Sequence, residues 1–170
     1  SMLPLDTLRS FRPFIATPSY GFNTTAPYSQ SLFLLGNLAG KIGMDLGLER
    51  AGMTCSWQVE IDDYATRVLE KHWPNVKRWR DVRTFPPTGE WGVDLICGGF
   101  PCQDISNAGK RAGIDGERSG LWGEFARIIR VLRPRFVLVE NVAALLGRGA
   151  GRVLGDLAEC GYDAEWDCIP

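Results

Sequence analysis

The sequence predicts an α/β domain built on a mostly parallel sheet with flanking helices. Strand-like and helix-like stretches alternate from residue 31 onward, the pattern of parallel strands joined by right-handed crossovers. One strand candidate, Phe136-Val137-Leu138-Val139, is apolar without a break, as in a sheet covered on both faces. Acids stand just past three strand ends, at Glu60, Asp81 and Glu140, so all three should face one edge of the sheet, where open α/β sheets keep their sites.

The elements follow in order. Residues 1–30 hold four prolines and scattered aromatics with no sustained period, which reads as an extended or poorly ordered arm. The alternative is that those aromatics cover an exposed edge of the domain. Ser31 to Leu38 is a first strand running into a glycine-spaced turn, and Met44 to Ala51 a short helix stopped by Gly52. Thr54 to Ile61 is rich in β-formers. Asp62 or Asp63 then caps a helix to His72, ended by Trp73-Pro74. Val76 to Trp79 and Val93 to Cys97 are further strands. Ser119 caps a helix to Leu132 whose Leu121, Phe125, Ile128, Ile129 and Leu132 share a face. Arg135 to Glu140 is a strand, Gly151 to Cys160 a helix closed by Gly161, and Tyr162 to Ile169 a last strand. Residues 31–170 are thus expected to form the domain proper.

Composition narrows the function classes. A formal net charge of −1 over 170 residues gives no global pull toward nucleic acid, so any such contact must come from a local patch. Five cysteines without regular spacing argue against a disulfide framework and for a reducing cytoplasm. No CxxC occurs and His72 is the only histidine, so no metal site is expected. No apolar run approaches a membrane span.

The stretch with most chemistry is Asp94 to Asn107, DLICGGFPCQDISN. A strand runs into two glycines that allow close backbone approach. Pro101 then stiffens the chain before Cys102. A thiol held this way at a strand's C-terminal end is placed for chemistry. A half-buried free cysteine in a glycine-rich turn is the plainer alternative. The wider text GGFPCQDISNAGKRAGIDGERSGLW, followed by RPRFVLVENVAALL, resembles the DNA (cytosine-5)-methyltransferases, with the Pro-Cys-Gln and Glu-Asn-Val motifs in order. The resemblance runs from about Leu38 to Pro170. It implies a Rossmann-like, S-adenosylmethionine-dependent methyltransferase fold, truncated at its C-terminal side.

By that resemblance Cys102 is the nucleophile at cytosine C6, and a thiolate suits the role because it adds and leaves readily near neutral pH. Glu140 would be the acid at cytosine N3, Pro101 would hold the thiol and Asn141 would shape the loop. Glu140 is otherwise read as a strand-end acid that caps a helix or pairs with an arginine. A duplex cytosine cannot reach such a pocket, so base flipping is implied. For the cofactor, Glu60 would accept the ribose hydroxyls, as acids after second strands do in dinucleotide sites. Asp81 would read the adenine amino group between Ile61 and Val82, and Leu121 matches a cofactor-contacting position. On the DNA side, Lys110, Arg111, Arg118 and Ser106 would meet phosphates, with Gln103 filling space near the flipped base. Asp104, Asp115 and Glu117 cancel that charge, and a solvated loop is an equal reading.

The sequence departs from the family twice. The first glycine loop reads Leu38-Ala39-Gly40-Lys41-Ile42-Gly43, with Leu38 for an aromatic and Ile42 for a glycine. Gly40 and Gly43 stay candidate cofactor contacts, but a β-branched residue at position 42 would be strained if φ were positive, which lowers the expected cofactor affinity. The chain also stops before the family's Gln-x-Arg-x-Arg segment and target-recognition region. An unpaired sheet edge and weak activity alone are therefore expected, with a second polypeptide or self-association completing the enzyme. A tRNA cytosine-5 methyltransferase and a non-catalytic binding subunit are the rival readings.

Overall fold

The computed structural model describes residues 13–19, 31–35, 38–88, 92–100, 120–141, 145–146 and 149–166. Their strands are β1 (Pro13–Pro18), β2 (Ser31–Leu35), β3 (Thr54–Val59), β4 (Lys77–Trp79), β5 (Leu95–Gly99), β6 (Phe136–Glu140) and β7 (Tyr162–Trp166). The helices are α1 (Leu38–Arg50), α2 (Asp63–His72), α3 (Leu121–Leu132) and α4 (Ala150–Glu159). The seven strands form one sheet in the order β4-β3-β2-β5-β6-β1-β7. Pairs β4–β3, β3–β2, β2–β5 and β5–β6 are parallel, and β1 runs antiparallel to both β6 and β7.

The expected α/β class holds, and the strand alternation that predicted it sorts side chains onto two cores. Ile96, Val137 and Val139 pack with α3 and α4 residues such as Phe125, Ile129, Val153 and Leu157. Leu95 and Cys97, on the other face, pack with Met44, Leu69 and Trp73 from the α1–α2 side. Trp122 joins two helices as well as two layers: its ring lies 5.7 Å from Phe100 and its Nε1 donates to Asp156 Oδ2 at 2.6 Å.

Local chemistry accounts for most boundaries. Asp62 caps α2, its Oδ1 accepting from the Ala65 amide at 2.7 Å, so of the two candidate caps the first is used. Arg78 donates to the carbonyls of Leu69, at 2.8 Å, and of Trp73, satisfying the open C-terminal end of α2. Gly52 and Gly161 follow α1 and α4 with φ of 95° and 79°, the left-handed stops that glycine supplies without steric cost.

Three expectations change. Ser119 lies outside the described residues, and α3 starts from Gly120 as N-cap with no side-chain capping bond. Helix α1 begins at Leu38 rather than Met44, so Leu38, Gly40, Ile42 and Gly43 are helical, not a loop. Ile42 accordingly carries no left-handed strain, Arg133 being the non-glycine residue with positive φ among the described ones. Last, part of the arm is a strand. Pro13 pairs with Glu140 and Pro18 with Tyr162, so β1 fills the space between β6 and β7, and the sheet's outer strands are β4 and β7.

Candidate functional site

The C-terminal ends of the parallel strands lie on one edge of the sheet, and three of them bring an acid. Glu60 follows β3, Asp81 follows β4 and Glu140 closes β6. Between the ends of β3, β4 and β5 lies an open cleft, at the sheet edge where open α/β folds bind their ligands. Five residues singled out from sequence line it: Glu60, Ile61, Asp81, Val82 and Leu121. Gly99, Phe100 and Phe125 complete its floor, and Arg80 and Arg83 its rim.

The two acid-bearing turns are built alike. After β3, the Glu60 amide donates to Trp79 O at 3.0 Å, tying the strand end to β4. Glu60 Oε1 accepts from the Asp62 amide at 2.9 Å, which folds its buried carboxyl back over the turn. Thr66 Oγ1 donates to Asp62 O at 2.7 Å beneath it. After β4, Asp81 Oδ1 accepts from the Arg83 amide at 2.9 Å and caps the short 3₁₀ turn Val82–Thr84. Ile61 is left 63% exposed, which opens an apolar side chain onto the cleft beside two carboxylates.

Glu140 does not line this cleft. Its register partner on β5 is Gly99, which does, so the carboxyl lies one strand over. A methyl carbon built on Gly99 would sit 2.7 Å from Glu140 Oε2 and 2.9 Å from its carbonyl oxygen. The bare glycine is what lets the carboxyl rest there. Burial raises the Glu140 pKa above the ordinary carboxyl value, because the charged form loses water on entering the fold. Asn141, next along, is buried.

Several sequence candidates have no geometry to set beside these. Pro101, Cys102, Gln103, Ser106, Lys110, Arg111 and Arg118 lie outside the described residues. Leu38, Gly40 and Gly43 lie in the first turns of α1, which starts three residues after the last residue of β2. Sequence reasoning did not single out Arg80, Arg83, Phe100 or Phe125 for the cleft, and marked Gly99 only as one of two glycines that allow close approach to a ligand. Phe125 carried only a helix-face signal, and a pairing between Arg80 and a turn nineteen residues away leaves no local pattern. Among the described residues no cluster of three or more His, Cys, Asp or Glu could hold a metal ion, and no helix is long and apolar enough to cross a membrane.

Comparison with known proteins gives this arrangement relatives. The Escherichia coli type II methyltransferase M.Eco47II is 42% identical over 68% of this chain and 28% of its own length. The Psychrobacter type II methyltransferase M.PspPI is 37% identical over 88% of the chain and 37% of its own. The chain thus spans about a third of the length of these relatives. A crystal structure of Spodoptera frugiperda DNMT2 shares the fold, with a TM-score of 0.58 at 23% identity, covering 76% of this chain and 40% of that one. A family profile described as C-5 cytosine-specific DNA methylase matches residues 37–170. On that match the chain belongs to the C-5 cytosine-specific DNA methylase family.

Proposed function

We propose that this chain is the cofactor- and nucleophile-bearing part of a DNA cytosine-5 methyltransferase. The cleft carries the reading: five residues chosen for a cofactor role from separate parts of the sequence line one cavity. That cavity suits S-adenosylmethionine in its donor set. Glu60 would accept the ribose hydroxyls, while Ile61 and Val82 would take the purine faces with Asp81 at the amino group. Leu121 would close the side. Leu38, Gly40 and Gly43 would contact the remainder from the start of α1. When bound, the cofactor supplies an electrophilic methyl group. Ile42 stands where the family carries a glycine, and we expect weaker binding than in a glycine-bearing relative.

The chain's own groups would handle the pyrimidine. Strand β5 leads through Gly99 and Phe100 into Pro101 and Cys102. The Cys102 thiolate would add to C6 of a flipped cytosine, moving electron density onto C5 for attack on the methyl. Glu140, its pKa raised by burial, would hydrogen-bond or protonate N3 and so neutralise charge gathered by the ring. After transfer, loss of the C5 proton expels the thiolate. Asn141 would hold the Glu140 turn. Gln103, Ser106, Lys110, Arg111 and Arg118 would face the DNA.

A duplex containing 5-fluorocytosine tests the reading, because fluorine at C5 prevents the final elimination and leaves the protein attached. With cofactor present, wild-type chain should form an adduct that survives denaturation and Cys102→Ser should form none. A folded wild-type sample without adduct would overturn catalysis by this chain.

A further inference from the structure

Two arginines hold the two apolar walls of the cleft, and neither has a part in the chemistry described above. Arg80 leaves the end of β4 and reaches back across the sheet edge. Its Nη2 donates to Ile61 O at 2.6 Å, its Nη1 to Thr66 Oγ1 at 2.6 Å, and it also pairs with Asp63. Arg127 comes from α3 on the opposite side. Its Nη2 donates to Val82 O at 3.0 Å and Phe85 O at 3.1 Å, while Glu124 Oε2 receives its Nε at 2.8 Å.

Each guanidinium therefore binds the backbone carbonyl of one wall residue, Ile61 or Val82. The Ile61 side chain is exposed, so packing does not hold it. The Val82 turn has three residues, and the Val82 carbonyl accepts from the Phe85 amide at 3.3 Å as well as from Arg127. Planar guanidinium groups suit this work because one side chain can bind several acceptors at fixed angles, which an ammonium cannot. The helix and turn caps do not use these guanidinium groups: Asp62 accepts from the Ala65 amide and Asp81 from the Arg83 amide.

We propose that Arg80 and Arg127 are positioning residues that set the spacing of the Ile61 and Val82 walls, and thereby the affinity of the cleft for an adenosine-containing ligand. The proposal rests on the cofactor reading of the cleft and goes beyond it. Arg127 does not line the cleft, so any effect it has on ligand binding must pass through the wall it holds.

Calorimetric titration of the full chain with S-adenosylhomocysteine separates the possibilities. Arg80→Ala and Arg127→Ala should each weaken binding by about tenfold, the scale of one lost charge-assisted bond. Arg80→Lys and Arg127→Lys, which keep the charge but not the fork, should recover part of the loss and guard against misfolding. Arg133→Ala is the control: it removes a guanidinium bound to Cys160 O, neither residue lining the cleft, and should lower thermal stability without changing affinity. Wild-type affinity in all four Arg80 and Arg127 variants, or an equal loss in Arg133→Ala, overturns the proposal alone. No binding by folded wild-type chain removes the cofactor reading and this proposal with it.

Discussion

Replacing Gly99 by alanine should disturb Glu140 more than its size suggests. The added carbon would lie 2.7 Å from Glu140 Oε2 and 2.9 Å from Glu140 O, inside the 3.0 Å that real Cβ contacts essentially never cross. The carboxylate can swing away, but the carbonyl belongs to β6, whose Val139 and Leu138 are paired across to β5. The strand must therefore shift as well. Overpacking of this kind costs about 1–3 kcal/mol, which for a domain of this size lowers Tm by roughly 2–4 °C per kcal/mol. The displaced carboxyl also regains water, so its pKa should fall back toward the ordinary value of 4.5. Thermal melts give the first quantity. Carbon-13 NMR of the side-chain carboxyl, assigned with Glu140→Gln, gives the second. A Gly99→Ala chain with wild-type Tm and an unchanged Glu140 titration would refute the argument.

Further outcomes follow from other parts of the fold. Because burial raises the Glu140 pKa in the folded chain above its unfolded value, its contribution to stability is complete below the ordinary carboxyl range and is lost as pH rises through the raised value. Glu140→Gln should remove that loss, seen as a flatter dependence of urea midpoint on pH above 4.5; an unchanged slope would count against the burial. Tyr162 donates to Pro134 O at 2.6 Å from a buried site, and its hydroxyl is pushed up to about 12 by burial, so it stays a donor at neutral pH. Tyr162→Phe should cost about 1–3 kcal/mol in urea unfolding by leaving that carbonyl unpaired, and a loss below the error of the measurement would show that water replaces the bond. Deleting residues 1–19 removes β1 from between β6 and β7, so light scattering should detect self-association through the freed edges. A monomeric deletion chain with wild-type Tm would show that β1 contributes nothing to the sheet.

Local signals carried much of this architecture. Helix α2 was readable almost residue for residue, since an aspartate cap at one end and Trp73-Pro74 at the other bracket an amphipathic run. The apolar run of β6 announced a sheet covered on both faces, and Val137 and Val139 do point to one core while Leu138 packs against the other. The two misplacements share a cause. Glycines at positions 40 and 43 suggested a loop, yet a glycine costs a helix only about 1 kcal/mol, and the surrounding fold overrides it. Prolines at 13 and 18 suggested an arm, but they stand at the two ends of β1, and a proline at a strand end removes little from the ladder. That β1 joins β6 and β7, more than a hundred residues later in the chain, is a non-local pairing without a local trace. The same applies to the cleft: its acids were legible from their place after strands, whereas the arginines that brace its walls were not.

The most direct test of the cofactor cleft is amide chemical-shift mapping of the isotope-labelled chain titrated with S-adenosylhomocysteine. The account predicts saturable shifts concentrated at Glu60, Ile61, Asp81, Val82, Gly99 and Leu121. Saturable shifts that leave those six amides unmoved and gather elsewhere would contradict it.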